Sequence, residues 1–291
     1  MLSYQHIFHA GNHADILKHI TITLILTYLT QKDKPITVYD THAGAGLYSL
    51  NDERALKTGE FSEGIKKLIT VINQNKLNNE VQKLISPYLK IVKNYYSNNF
   101  YPGSPFFELN LLRKNDEIIL SELHPQVINE LKKNIKTELS NLHTNHNDNI
   151  PNVNIHFRNG IEMLKALTPP KTKRGCAIID PSFEDKSDYD DVANLICDIY
   201  KKWSNGTLVL WYPLIERRSY EIDFMKNKIK DLVNQSSLED KTIDIQLEIK
   251  NPAEMTGLAN LYGSGMFVVN PPYELKSQMA LITTSLKELL I

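Results

Sequence analysis

The sequence predicts an α/β protein whose mostly parallel sheet is covered by helices on both faces. Three observations predict it. From about residue 118 onward, short β-branched runs alternate with helical patterns. A glycine-rich turn follows the first such run directly. Four strand ends finish in polar residues, Asp40, Glu122, Asn159 and Asp180, and in open α/β sheets ligands bind beyond the carboxyl ends of the strands.

The elements follow in order. Residues 12–30 read as a helix: Asn12 can cap it, Asp15 suits the first turn, and Leu17, Ile20, Leu24 and Tyr28 recur at helical spacing. Ile36 to Asp40 reads as a strand, followed at once by Thr41-His-Ala-Gly-Ala-Gly46. Residues 50–97 differ in character. They are rich in Lys and Asn, with helical spacing in Ile65, Leu68, Ile69 and Ile72 and again from Val81 to Leu89. Arg54 to Lys93 holds eight basic and three acidic residues, a net +5, so the rest of a chain of net charge -1 carries -6. That shift marks 50–97 as an inserted helical subdomain, with 1–49 and 98–291 forming the catalytic domain. Tyr101-Pro-Gly-Ser-Pro105 closes the insertion.

Beyond it the reading is regular. Strands are predicted at 118–122, 153–157, 176–180 and 207–212. Helices are predicted near 126–138, 160–167, 188–203 and 217–235. Two β-rich runs, Thr242 to Ile249 and Met266 to Asn270, precede a C-terminal helix. The polar loop at 141–154 is expected to be solvated.

Composition excludes several classes. With 42% hydrophobic and 23% charged residues, the chain is globular rather than disordered or fibrous. The near-zero net charge argues against a generally basic nucleic-acid binder and leaves room for a local patch. Cys176 and Cys197 cannot form a disulfide framework and read as reduced core residues. The start carries no signal-peptide pattern, and the apolar stretch Ile20 to Leu29 is too short and too polar for a bilayer. A cytoplasmic monomer without an obligate protein partner or a membrane segment is expected.

The strand ends carry the chemistry. Glycines in Asp40-Thr-His-Ala-Gly44-Ala-Gly46 let the backbone approach a ligand closely. A dinucleotide fingerprint needs a third glycine, and position 49 is Ser. The loop therefore suits a nucleoside without phosphate, such as S-adenosylmethionine. Glu122 can accept hydrogen bonds from ribose hydroxyls, and Asn159-Gly160 can meet the adenine edge or simply form a turn. Asp180-Pro-Ser-Phe183 is the sharpest element. The N6 amine of adenine is a poor nucleophile and must be oriented in line with the methyl group. A carboxylate (Asp180) and a prolyl carbonyl (Pro181) can accept its two N–H groups, and an aromatic ring (Phe183) can stack on the base. An Asp-Pro turn without function has the same local form. Asn270-Pro-Pro-Tyr273 resembles this motif too, but a last strand running antiparallel to its neighbours would point it away from the cofactor. His9 and His13 have metal-ligand spacing, yet no cysteine or H-E-x-x-H accompanies them, so no metal is expected.

With these residues in hand, the chain resembles the RlmJ family of large-subunit ribosomal RNA adenine-N6 methyltransferases. The match is carried by Met1-Leu-Ser-Tyr-Gln-His6, Phe8-His-Ala-Gly-Asn-His-Ala-Asp15, Leu17-Lys-His19, Asp40 to Gly46 and Tyr101 to Pro105. It continues through Glu122-Leu-His-Pro125, Asp180-Pro181, Trp211-Tyr-Pro213 and Asn270-Pro-Pro272. The resemblance implies a class I S-adenosylmethionine-dependent methyltransferase, with a Rossmann-like seven-stranded sheet and a small helical insertion, acting on 23S ribosomal RNA. It places His19, His42, Ser104, Glu122, Asn159 and Gly160 at the cofactor and Lys18 near the active site, and the loop and strand-end readings add Gly44 and Asp180 to the cofactor group. It places Asp180 at catalysis and Tyr4 against the RNA, while Pro181 and Phe183 join Asp180 on the chemistry of the turn, and Tyr4, His6 and Lys18 read from their residue types as a cluster facing RNA. Two departures stand out. The family motif Asp-Pro-Pro-Tyr reads Asp180-Pro-Ser-Phe183 here, and the family's Asp is Asn159. The residues alone leave three rivals open: a DNA adenine-N6 methyltransferase, an RNA-binding relative that has lost catalysis, and, more distantly, a nicotinamide oxidoreductase.

Overall fold

The computed structural model describes residues 4–144, 149–235, 240–251 and 261–290. Met1, Leu2 and Ser3 of the N-terminal signature, and 145–148 of the polar loop, lie outside the described residues. Nine strands appear in chain order among the described residues. They are β1 (Thr37–Asp40), β2 (Leu47–Ser49), β3 (Phe100–Pro102), β4 (Glu117–Glu122), β5 (Asn152–Phe157), β6 (Gly175–Ile179), β7 (Thr207–Ile215), β8 (Thr242–Glu248) and β9 (Leu261–Val269). Seven form one sheet in the order β5-β4-β1-β6-β7-β9-β8. All pairings from β5 to β7 are parallel, while β9 runs antiparallel between β7 and β8. The expected class I methyltransferase sheet is present, with its switch point between β1 and β6, where the strand order reverses.

Period-two alternation divides each inner strand between two cores. Val38, Ile118, Leu120, Cys176 and Ile178 face one side; Tyr39, Ile119, Ala177 and Ile179 face the other. The first face is covered by α1 (His13–Leu29), the helices α2 (Glu53–Thr58), α3 (Lys67–Asn73), α4 (Asn79–Leu84) and α5 (Ser86–Tyr96), then α6 (Ser104–Leu111) and α7 (Val127–Thr144). The second is covered by α8 (Gly160–Leu167), α9 (Ser187–Lys202) and α10 (Ser219–Asn234). The last helix, α11 (Leu275–Leu290), returns to the first face.

The insertion is less separate than its charge suggested. Ile65, Leu68, Ile72, Val81 and Tyr88 join the same buried cluster as Ile16, Ile20 and Met279, so these helices have no core of their own. The antiparallel ribbon of β2 and β3, pairing Tyr48 with Tyr101, closes it. The sequence reading also missed α6. Its residues Ser104 to Leu109 are all buried, Ser104 and Glu108 included, so no polar face marks an amphipathic period. No helix among the described residues is long and apolar enough to cross a membrane.

Candidate active site

The ends of β1, β4 and β6, with the second turn of α1 and the first turns of α6 and α8, surround a cavity of about 290 Å³. Its lining brings together Tyr4, His6, Lys18, His19, His42, Gly44, Ser104, Glu122, Asn159, Gly160, Asp180 and Pro181. Of the site residues expected from sequence, Phe183 is absent from that lining.

Asp180 follows β6 directly, and its Oδ2 accepts a 2.7 Å hydrogen bond from Lys18 Nζ. Lys18 is 5% exposed and also lies 3.0 Å from Asp15 Oδ1, as an ion pair. Burial alone would depress Lys18, but Asp180 and Asp15 outweigh it and hold the ammonium well above the ordinary lysine value. Lys18 was expected to serve RNA as well as the cofactor. It is enclosed between two carboxylates and nearly shut off from solvent. It lines the cavity as the partner of Asp180.

The glycine loop is held from behind. Asp40 is fully buried; its Oδ2 accepts from Ser104 Oγ at 2.6 Å and its Oδ1 from His42 N at 3.0 Å. Burial pushes its carboxyl up to about 6 and pushes the His42 imidazole down to about 4. Gly44 sits at φ +59°, in the left-handed region, where a Cβ would meet Tyr48 Oη at 2.2 Å. Its N–H donates to Glu122 Oε2 at 3.0 Å, while His124 N–H donates to Glu122 Oε1 at 2.7 Å. Glu122 thus fixes the loop, and each oxygen keeps a second lone pair for a ligand hydroxyl.

Asn159 makes the turn: its Oδ1 caps α8, accepting from Ile161 N and Glu162 N at 2.8 and 3.2 Å. It also lines the cavity. Gly160 is glycine for packing reasons, since a Cβ there would lie 1.9 Å from Thr41 O. His19 is fully buried; Nδ1 shares a 2.9 Å bond with Tyr101 Oη, and Nε2 has no partner among the described residues. Burial holds this imidazole neutral.

The N-terminal segment crosses the cavity mouth. Tyr4 Oη donates to His6 Nδ1 at 3.0 Å, and His6 Nε2–H donates to Asp15 Oδ2 at 3.0 Å. Tyr4 keeps 41% exposure, so it is the member of the expected RNA group that faces outward. Phe183 requires a correction. Its ring is 5% exposed and turned into the second core against Tyr189 and Trp211, with φ +51°. In this arrangement it cannot stack on a base in the cavity. Asn270 sits where the antiparallel β9 would place it: its Nδ2 donates to Ser204 O and Gly206 O, beside the amino end of β7. His9 bonds Glu60 Oε1 at 2.9 Å. Sequence reasoning gave no site role to Asp15, Gln5, Tyr48 and Arg54, neighbours of the site; the family-like runs Met1 to His6 and Phe8 to Asp15 held two of them, Gln5 and Asp15.

A family model described as "Ribosomal RNA large subunit methyltransferase D, RlmJ" matches residues 33–291. The chain belongs to the RlmJ family. Its relatives include the ribosomal RNA large subunit methyltransferase J of Escherichia coli (strain K12), 37% identical over 282 residues, which are 96% of this chain and 90% of that protein. The Haemophilus influenzae protein of the same name is 37% identical over 295 residues, spanning 100% of this chain and 95% of that one. A crystal structure of a Legionella pneumophila protein is similar at TM-score 0.81 and 33% identity, covering 97% and 94% of the two chains. This RlmJ-family chain is thus an enzyme of the ribosomal RNA methyltransferase class.

Proposed function

We propose that the protein methylates the N6 amine of a specific adenine in 23S ribosomal RNA, using S-adenosylmethionine. The observation that carries this reading is the Asp180-Pro181 turn in the cavity wall, with one Asp180 oxygen held by Lys18. The residues suit a nucleoside cofactor. The left-handed Gly44 leaves no room for a side chain, Glu122 anchors the loop with lone pairs to spare, and the unpartnered His19 Nε2 calls for a polar group. When bound, the cofactor supplies a methyl group activated on a sulfonium.

The chain's own residues orient the acceptor. Lys18 occupies Asp180 Oδ2, so Oδ1 is the oxygen that accepts one amine N–H. The Pro181 carbonyl accepts the other. With both N–H groups held, the amine lone pair turns toward the methyl. No side chain need remove a proton before attack, because the methylated ammonium is acidic enough to lose it afterwards. The base must leave its stack to enter, and Tyr4 at the mouth offers the exposed ring that Phe183 does not.

Protein-free 23S ribosomal RNA and duplex DNA, each incubated with the protein and the cofactor, then digested and analysed by mass, test this reading. N6-methyladenosine is expected from the RNA alone. Methylation of the DNA instead would favour the DNA rival, and tight cofactor binding without any transfer would favour a non-catalytic RNA-binding protein.

A further inference from the structure

Asp15 is a buried charged group beside this site to which the mechanism gives no part. It is 1% exposed, in the first turn of α1. Its helix-capping duty is met by its backbone, since Asp15 N–H donates to Asn12 Oδ1 at 3.0 Å. The carboxylate is therefore not needed to start the helix. It gathers two donors on Oδ2, Gly11 N–H at 2.8 Å and His6 Nε2 at 3.0 Å, and its Oδ1 forms an ion pair with Lys18 Nζ at 3.0 Å. Burial would push this carboxyl up, but His6 and Lys18 hold it well below the usual range.

We infer that Asp15 is a positioning residue for methyl transfer, one carboxylate setting both Lys18 against Asp180 and the Tyr4–His6 segment across the cavity mouth. A buried ammonium seeks every anion within reach. With Asp15 in place, Lys18 is shared between two carboxylates and occupies only Oδ2 of Asp180. Without it, Lys18 has Asp180 alone and shifts to cover both oxygens, taking the one that the amine needs. His6 loses its anchor in the same step, and Tyr4 loses its tether. Asparagine at this position would still accept from Gly11 N–H, but could not balance two cationic or donating partners. The inference rests on the proposed adenine chemistry for its kinetic readout and on geometry for its structural one.

The test is a double-mutant cycle on Asp15→Asn and Lys18→Met, assayed on 23S ribosomal RNA beside the wild type. Asp15→Asn is expected to lower kcat on the order of 10²-fold, the effect of a displacement of about 1 Å at a reacting centre, with cofactor Kd and Tm close to wild type. The double variant is expected to be no slower than the slower single variant. Independent losses that multiply, or full kcat in folded Asp15→Asn, would overturn the inference. Should Asp15→Asn fail to fold, Asp15→Glu keeps the charge but moves it by a methylene; a kcat loss with intact cofactor binding is expected, and full kcat overturns. A crystal structure of the folded variant supplies a readout without turnover. Lys18 bridging both Asp180 oxygens and a displaced His6 are expected; unmoved side chains would sink the inference. A wild type that methylates no adenine would sink the proposed function instead, leaving that structural outcome to decide here.

Discussion

Lys18 and Asp180 stand 162 residues apart in the chain, yet Lys18 Nζ donates to Asp180 Oδ2 across 2.7 Å. The contact ties the first helix to the turn after β6. It fixes the orientation of the carboxylate before any substrate arrives.

Asp180→Ala is expected to abolish methyl transfer while cofactor binding persists. Lys18 retains Asp15 in that variant, so no buried cation is left alone and the fold is expected to hold. Turnover assays beside calorimetric titration with the cofactor check this. A variant that turns over at the wild-type rate would remove Asp180 from the mechanism.

Glu122→Ala removes the acceptor of both Gly44 N–H and His124 N–H. Hydrogen bonds to a charged group are worth about 1.5–3 kcal/mol each. Cofactor Kd is therefore expected to rise at least about tenfold, with a smaller effect on kcat at saturating cofactor. An unchanged Kd would show that the loop holds its shape without Glu122.

The Asp40 carboxyl, pushed by burial from 3.8 up to about 6, makes a pH prediction. Its pKa is raised on folding, so its contribution to stability is full below 3.8 and is lost as pH rises through about 6. Binding of a cation has the opposite sign, because only the ionised carboxylate attracts it. His42, pushed down to about 4, stays neutral through this window. Affinity for the cationic cofactor is expected to weaken as pH falls through about 6. Titrations on either side of that value should show the change in the wild type and a flatter response in Asp40→Asn. Equal pH dependence in both would exclude Asp40.

The basic insertion offers an electrostatic test. Lys66 and Lys76 are exposed, whereas Lys67 is partly buried and donates to Leu290 O at 3.3 Å. If the exposed pair grips RNA phosphates, neutralising both should reduce the slope of log affinity against log salt by about 0.7–0.9 per lost contact. A slope equal to wild type would assign these lysines to solubility alone.

Much of the site was legible because the fold is regular. A strand followed by a helix places its terminal residue at the sheet crest, so Asp40, Glu122 and Asp180 could be located from alternation alone. What tertiary packing decides was not legible. Asp40 proved to lie behind the cavity wall, bonding Ser104 and the His42 backbone. Phe183 turned its ring inward to join Tyr189, because the sheet face beneath offered apolar cover. Lys18 reads in sequence as a polar residue early in a helix, and only the approach of β6 to α1 encloses it between carboxylates. Helix α6 was hidden for a related reason: buried on every side, it shows no polar face, and Glu108 within it is fully buried.

The most direct measurement is nucleoside mass analysis of 23S ribosomal RNA purified from cells lacking this chain, before and after incubation with the purified protein and S-adenosylmethionine. One N6-methyladenosine per RNA molecule, gained with the wild type and absent with Asp180→Ala, is the result expected. No methyl gained on adenine, or an equal gain with Asp180→Ala, would contradict the account.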